Sequence, residues 1–268
     1  MADSRTQARA LIDQGRVRVA GAPATKAARQ VDAGEPVVVS GDGPRFVGRG
    51  GEKLAGALEA FELDPRGLRA LDAGASTGGF TDALLQHGAT SVVALDVGHG
   101  QLHERLRADD RVEVLERTNL RHVDPVALGP FGAVVADLSF ISLTKVMSVL
   151  VGCAAPGGWL VLLVKPQFEA GRREVSRGRG VITEPAEWAG AVIRVVDSAQ
   201  REGASVVGLR VSPLRGADGN VEFLLHLAVT GTPGRLADDE VSGLVDRALV
   251  AAGMDPVPTV AAGTEVTR

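Results

Sequence analysis

From about residue 46 the chain alternates between short apolar runs and longer stretches whose apolar positions fall three and four apart. The runs LRALD, SVVALD, VEVLE, GAVVAD and WLVLLV read as strands, and the stretches near 79–87, 101–108, 143–152 and 186–202 as helices. Near-continuous apolar strands separated by helices predict a mostly parallel sheet covered on both faces. Two further runs, SVVGLRVS and VEFLLHLAV, have only a turn between them and predict an antiparallel hairpin at one edge. Residues 238–252 suit one amphipathic helix with Asp238 as N-cap and Val241, Leu244, Val245 and Leu249 on its apolar face. Residues 253–268 have little to bury and are expected to fray.

The first forty residues follow another rhythm. Ala8, Leu11 and Ile12 make a helical face that Gly15 stops, RVRV alternates as a strand, Gly21 and Pro23 turn the chain, and PVVV closes it. The pattern predicts a small α/β unit at 1–40, a turn-rich linker at 41–45 (GDGP begins it), and a larger α/β domain at 46–252.

Composition narrows the setting. No apolar run approaches the ~20 residues a membrane helix needs, and the start MADSRTQARALIDQG lacks the apolar stretch of a signal peptide. With one cysteine, Cys153, no internal disulfide forms; a buried thiol in a reducing cytoplasm is the expectation. Five scattered histidines show no metal-ligand spacing, so no metal is expected. The net charge of −4 divides unevenly: residues 1–50 carry eight Lys/Arg against five Asp/Glu, a local excess of +3 where a polyanion can be met. Only four of the 29 basic residues are lysine: Lys26, Lys53, Lys145 and Lys165. Lysine, unlike arginine, can lose its proton in a protein.

Candidate chemistry begins at LDAGASTGGF, residues 71–80, where a strand, a glycine turn and a helix start follow one another. The string from Gly74 to Thr81 is a P-loop with Phe80 in place of its lysine, which disfavours a nucleoside triphosphate. As a dinucleotide fingerprint it has Gly74 and Gly79, but Ser76 replaces the glycine that lets a pyrophosphate approach; Gly74, Ser76, Gly78 and Gly79 are candidate cofactor contacts. Asp72 and Asp96 each end a strand, where ligands of open parallel sheets sit. Asp96 suits ribose hydroxyls, and Asp72 repels phosphate but attracts an amine. A ligand with a ribose, an amine, a sulfonium and no phosphate fits, namely S-adenosylmethionine. The competing reading of Asp72 is a helix N-cap.

DAGASTGGFTDALL, DVGHGQL, ERTNLR, DLSFISL, LVKPQFE and GNVEFLLHL, in that order, resemble the TlyA family of ribosomal RNA methyltransferases, often labelled hemolysins. The resemblance covers nearly all of residues 4–230. It implies a Rossmann-like class I methyltransferase domain similar to the FtsJ type, and an S4-type RNA-binding domain in SRTQARALIDQGRVRVAG and Lys26. That S4-type segment lacks the extra first helix such modules normally have. At DVGHGQLHE, His99 and Glu104 stand where relatives commonly carry aromatics. Of the FtsJ type's Lys-Asp-Lys-Glu tetrad, the resemblance places the members at Lys53, Asp137, Lys165 and Glu222. The implied chemistry is methylation of a ribose 2′-hydroxyl, with cytidines of small- and large-subunit RNA as implied targets.

The residues themselves are compatible with this. Asp137 and Lys165 each end an apolar strand, Glu222 lies near the start of an expected edge strand, and Lys53 is on a helix before the sheet. Burial and a second cation both disfavour a protonated lysine, which makes a general base available. A structural Asp137–Lys165 ion pair is the plainer alternative. Phe140 is open between packing on an adenine and a place in the core, and Asn119 is a candidate for the base or ribose. Arg5 and Lys26 match RNA-facing positions of the S4-type module, with solvated charge as the alternative, and the basic run RREVSRGR at 172–179 stands equally between phosphate clamp and solvated loop. Ribosomal RNA or subunits are the expected partners; nothing in the sequence bears on the oligomeric state. Rival expectations are a non-catalytic ribosome-associated protein, which needs no tetrad, and a pore-forming cytolysin, which needs a membrane-active segment.

Overall fold

The computed structural model describes residues 5–13, 15–40, 44–170, 181–216, 218–229 and 236–255. The chain divides between Arg45 and Phe46 into two compact units. In the first, helix α1 (Arg5–Asp13) ends before Gly15, which takes φ +68°. Strands β1 (Val17–Val19), β2 (Ala22–Pro23) and β3 (Val37–Val39) form an antiparallel sheet in the order β2-β1-β3. Leu11, Val17, Val19 and Ala24 make its small core. The expected turn at Gly21 and Pro23 thus carries a short strand of its own.

The second unit opens with Phe46, buried beneath helix α2 (Gly50–Ala60). A Cβ on Gly51 would lie 2.3 Å from the Phe46 ring, so glycine lets the helix seat there. Then follow β4 (Arg69–Ala73), α3 (Gly79–Gln86), β5 (Ser91–Leu95), α4 (Glu104–Arg107), β6 (Val112–Leu115), α5 (Pro125–Leu128) and β7 (Phe131–Ala136). The chain continues through α6 (Met147–Cys153), β8 (Ala154–Val164), α7 (Pro166–Glu169), α8 (Pro185–Arg201), β9 (Ser205–Val211), β10 (Phe223–Ala228) and α9 (Asp238–Ala251). Short 3₁₀ turns occupy Leu120–His122 and Leu143–Lys145.

Among the described residues the seven strands run β6-β5-β4-β7-β8-β10-β9, parallel through β8 and antiparallel in the last two. This is the Rossmann-like, mostly parallel sheet with an antiparallel hairpin. Period-two alternation along β8 feeds two cores: Leu160, Leu162 and Val164 pack with α6, α8 and α9, while Val161 and Leu163 pack with α2 and α3. Strand β8 is therefore apolar on both faces, which is why its sequence shows no alternation.

Three details differ from expectation. Strand β10 lies between β8 and β9, so Glu222 precedes the penultimate strand and β9 is the edge. The expected helix at 143–152 is a 3₁₀ turn followed by a shorter helix, because Glu169 accepts from the Leu143 amide and fixes the turn. Asp238 is the first residue of α9 rather than its N-cap; Glu240 reaches back to the Ala237 amide at 2.8 Å. Cys153 is fully buried, and burial pushes its thiol up to about 11. No helix among the described residues is long and apolar enough to cross a membrane.

Candidate active site

Parallel strands β4, β5 and β7 end on one edge of the sheet, and the residues just beyond them wall a cleft of about 1230 Å³. Gly74, Ser76, Asp96, Asn119, Asp137 and Phe140 all line it. Register explains the neighbourhood. Ala73 pairs with Ala136, so Asp137 follows beside Gly74, and its amide donates to the Ala73 carbonyl at 3.2 Å. Gly74 takes φ +85°, and a Cβ there would lie 2.8 Å from the Asp137 carbonyl oxygen. Only glycine permits that approach.

Four amides of the glycine loop are spent internally. Gly74 and Ala75 donate to the Leu95 carbonyl at 2.8 and 3.1 Å, Gly78 to Ala75 at 2.7 Å, and Ser76 to Asp96 Oδ2 at 2.8 Å. A phosphate-cradling loop needs such amides pointing at the ligand. Asp96 also accepts from the Gly98 amide at 2.6 Å, which locks its carboxylate at the cleft wall with further lone pairs for hydroxyl donors. Asn119 caps the turn at Leu120–His122 by accepting from the Arg121 amide at 3.1 Å.

Gly78 and Gly79 do not line the cleft. A Cβ on Gly78 would lie 2.2 Å from Leu106 Cδ1, and one on Gly79 would lie 2.8 Å from the Gly51 amide nitrogen. Their smallness serves the packing of α3 on α2 and of Leu102 and Leu106 on the loop. Asp72 also lies beneath the cleft rather than in its wall. It is 0% exposed, and Thr81 Oγ1 donates to its Oδ2 at 2.6 Å while Oδ1 has no hydrogen-bond partner. Burial, chiefly, pushes its carboxyl up to about 7; the Thr81 hydrogen bond opposes this, and the charges of Asp137 and Asp96 reinforce it. The N-cap reading of Asp72 does not hold, since Gly78 occupies that position of α3.

The two lysines of the expected tetrad each meet a carboxylate. Lys165, one residue past β8, places Nζ 2.6 Å from Asp137 Oδ1. Lys53, on the first turn of α2, places Nζ 2.5 Å from Glu222 Oε2. Phe223 pairs with Val164, so Glu222 and Lys165 stand at the same end of adjacent antiparallel strands. A Cβ on Gly50 would lie 3.8 Å from Asp137 Oδ2, so the start of α2 approaches the same spot. Lys53, Lys165 and Glu222 are all buried.

Phe140 is 92% exposed with φ +65°, a conformation costing an L-residue roughly 1–2 kcal/mol. It is not a core residue; its ring stands 5.4 Å from that of Phe168. Lys26 is exposed in the first unit, and Arg5 opens α1 with its side chain outside the described residues. The run at 172–179 also lies outside them.

Sequence reasoning missed Ser139, whose hydroxyl accepts from Lys165 Nζ at 2.9 Å, and Glu169. Glu169 is buried, accepts from Ser142 Oγ at 2.5 Å and from the Leu143 amide at 2.8 Å, and burial pushes its carboxyl up. The signal was present, because DLSFISL and KPQFE each follow a strand that ends at this edge of the sheet. Their pairing spans 26 residues and becomes visible only in the fold. Among the described residues no cluster of His, Cys, Asp or Glu is arranged to hold a metal ion.

Comparison with known proteins places the geometry in a family. Residues 46–229 match the FtsJ-like methyltransferase model and residues 1–37 the S4 domain. The chain is 50% identical to the 16S/23S rRNA (cytidine-2′-O)-methyltransferase TlyA of Mycobacterium tuberculosis, over 93% of each chain. It is 37% identical to Hemolysin A of Brachyspira hyodysenteriae, over 85% of this chain and 95% of that one. A solved structure from Streptococcus thermophilus superposes with TM-score 0.75 at 39% identity, covering 92% of this chain and 90% of that one. With its S4 domain and FtsJ-like domain in order, the chain belongs to the TlyA family of FtsJ-like methyltransferases.

Proposed function

We propose that the protein methylates ribose 2′-hydroxyls of cytidines in ribosomal RNA with S-adenosylmethionine as donor, using Lys53, Asp137, Lys165 and Glu222. The observation that carries the mechanism is the buried Lys165 held against Asp137 at the cleft wall. Kinship with the cytidine-2′-O-methyltransferase of M. tuberculosis supports the substrate.

The residues present fit the donor. Four of the loop amides are spent, which disfavours a pyrophosphate, and Asp96 and Asp137 place carboxylates in the cleft wall, where a cation can be met. Gly74, Ser76, Asp96 and Asn119 would hold the nucleoside end, and Asp72 would lie beneath them without contact. When bound, the sulfonium supplies the methyl group and departs as a neutral thioether.

Lys165 takes the proton of the 2′-hydroxyl, which gives the oxygen the electron pair that bonds to the methyl carbon. Lys53 brings a second amine to the start of β10, where Glu222 keeps it in place. Asp137 orients the Lys165 amine. The exposed Phe140 offers an aromatic face at the rim, better placed for a base of the substrate RNA than for the donor's adenine. Residues 1–40, with Arg5 and Lys26, would add RNA affinity; 41–45 would serve as linker, 46–252 as methyltransferase domain and 253–268 as a tail.

Incubation of the protein with labelled donor and isolated ribosomal subunits, followed by mass spectrometric mapping, tests the reading. Label on a cytidine ribose oxygen is expected. Label on a base atom, or none on either subunit, contradicts it.

A further inference from the structure

We infer that Ser139 is a positioning residue for the general base: together with Asp137 it decides which direction of the Lys165 amine faces the substrate hydroxyl. This rests on the reading of Lys165 as base.

The argument starts from the valences of the nitrogen. A neutral lysine amine has two N–H bonds and one lone pair, and only the lone pair can take a proton. Asp137 Oδ1 lies 2.6 Å from Nζ and Ser139 Oγ lies 2.9 Å from it. Ser139 accepts one N–H in a hydrogen bond, and the Asp137 carboxylate, an ion-pair partner without hydrogen-bond geometry, draws the other by its charge. The remaining tetrahedral corner is then the lone pair. With the Ser139 hydroxyl missing, no hydrogen bond stops the amine turning about its Cε–Nζ bond, and the lone pair has no fixed direction.

The arrangement also serves the product state. As the 2′-oxygen forms its bond to the methyl carbon and the carbon–sulfur bond breaks, the hydroxyl proton moves to Nζ. The resulting ammonium uses the same corner for its third N–H, so neither Ser139 nor Asp137 has to move. Preorganised partners of this kind need no rearrangement during the step. The Phe168 ring, 5.8 Å from Nζ, is in range to favour the cation that forms.

Ser139 is itself held. It lies on the loop between β7 and the 3₁₀ turn at Leu143–Lys145, and both Ser139 and Glu169 line the cleft. Glu169, four residues past Lys165, grips that loop through Ser142 Oγ and the Leu143 amide. The segment carrying the base therefore also fastens the loop that aims it.

The test compares steady-state rates of Ser139→Ala, Ser139→Val and Ser139→Thr with Lys165→Arg and the Ser139→Ala/Lys165→Arg double variant, with melting temperatures for each. Valine and threonine share a shape and differ in the hydroxyl. Ser139→Val and Ser139→Ala should lose roughly ten- to a hundredfold in kcat, as for a lost hydrogen bond to a charged group, with KM for donor and RNA little changed. Ser139→Thr should restore most of the rate, and the double variant should be no slower than Lys165→Arg alone, because Ser139 acts through Lys165. Equal rates for the valine and threonine variants at equal stability, or a loss confined to KM, overturn the Ser139 inference while leaving the base intact. A Lys165→Arg enzyme near wild-type rate instead overturns the reading of Lys165 itself.

Discussion

Lys53 and Glu222, separated by 169 residues of chain, meet at 2.5 Å with both side chains buried, joining α2 to the start of β10. Removing one charge of a buried pair strands the other, at a cost of ~3–5 kcal/mol. Glu222→Ala should therefore lower the melting temperature as well as the rate. The Lys53→Met/Glu222→Leu double variant should recover most of the stability and none of the rate. Equal destabilisation in the single and double variants contradicts the pairing.

Asp72 predicts a pH dependence of stability. Its carboxyl titrates near 7 in the fold against 3.8 unperturbed, so between those values the native state holds a proton that the unfolded chain has released. Stability from this group is full below pH ~4 and declines as pH rises towards 7, by a few kcal/mol in total. Asp72→Asn cannot ionise, so its stability relative to wild type should rise from pH 5 to pH 8. A constant difference measured by thermal melts across that range argues against a buried, perturbed carboxyl.

Gly79 should be a packing residue. Gly79→Ala puts a methyl 2.8 Å from the Gly51 amide, where helix backbone has to move. A loss of ~1–3 kcal/mol is expected, and raising the donor concentration should not restore turnover, because the helix that carries Lys53 is displaced. Wild-type stability with a weakened donor affinity assigns Gly79 to the ligand instead.

The glycine loop should discriminate between ligands. Calorimetry should show binding of S-adenosylmethionine or its demethylated product and none of comparable strength for NAD or ATP, since four loop amides are spent on Leu95, Ala75 and Asp96. Asp96→Ala should weaken the donor by ~1–3 kcal/mol. Tight NAD binding contradicts the account of the loop.

Much of this was legible in the chain because strand ends are written locally. Apolar runs stop at Asp96, Asp137 and Lys165, and in an open parallel sheet their carboxyl ends share one edge. What escaped depends on partners far away in sequence. Nothing local says that β10 inserts between β8 and β9, which moves Glu222 inward from the edge. Nothing local distinguishes a glycine that faces a ligand from one that faces Leu106, or shows that Thr81 covers Asp72. Phe140 reads as apolar, and only its positive φ and exposure separate it from a core residue.

The central claim is that Lys165 removes the proton, and Lys165→Arg tests it most directly. Arginine keeps the positive charge beside Asp137 but stays protonated at any working pH. Single-turnover methylation of the mapped ribosomal cytidine, at saturating donor and RNA, isolates the chemical step from binding. The account predicts a rate lower by ~10²–10⁴ with donor and RNA affinities largely retained. A rate within a few-fold of wild type would contradict it and leave Lys165 as an electrostatic clamp.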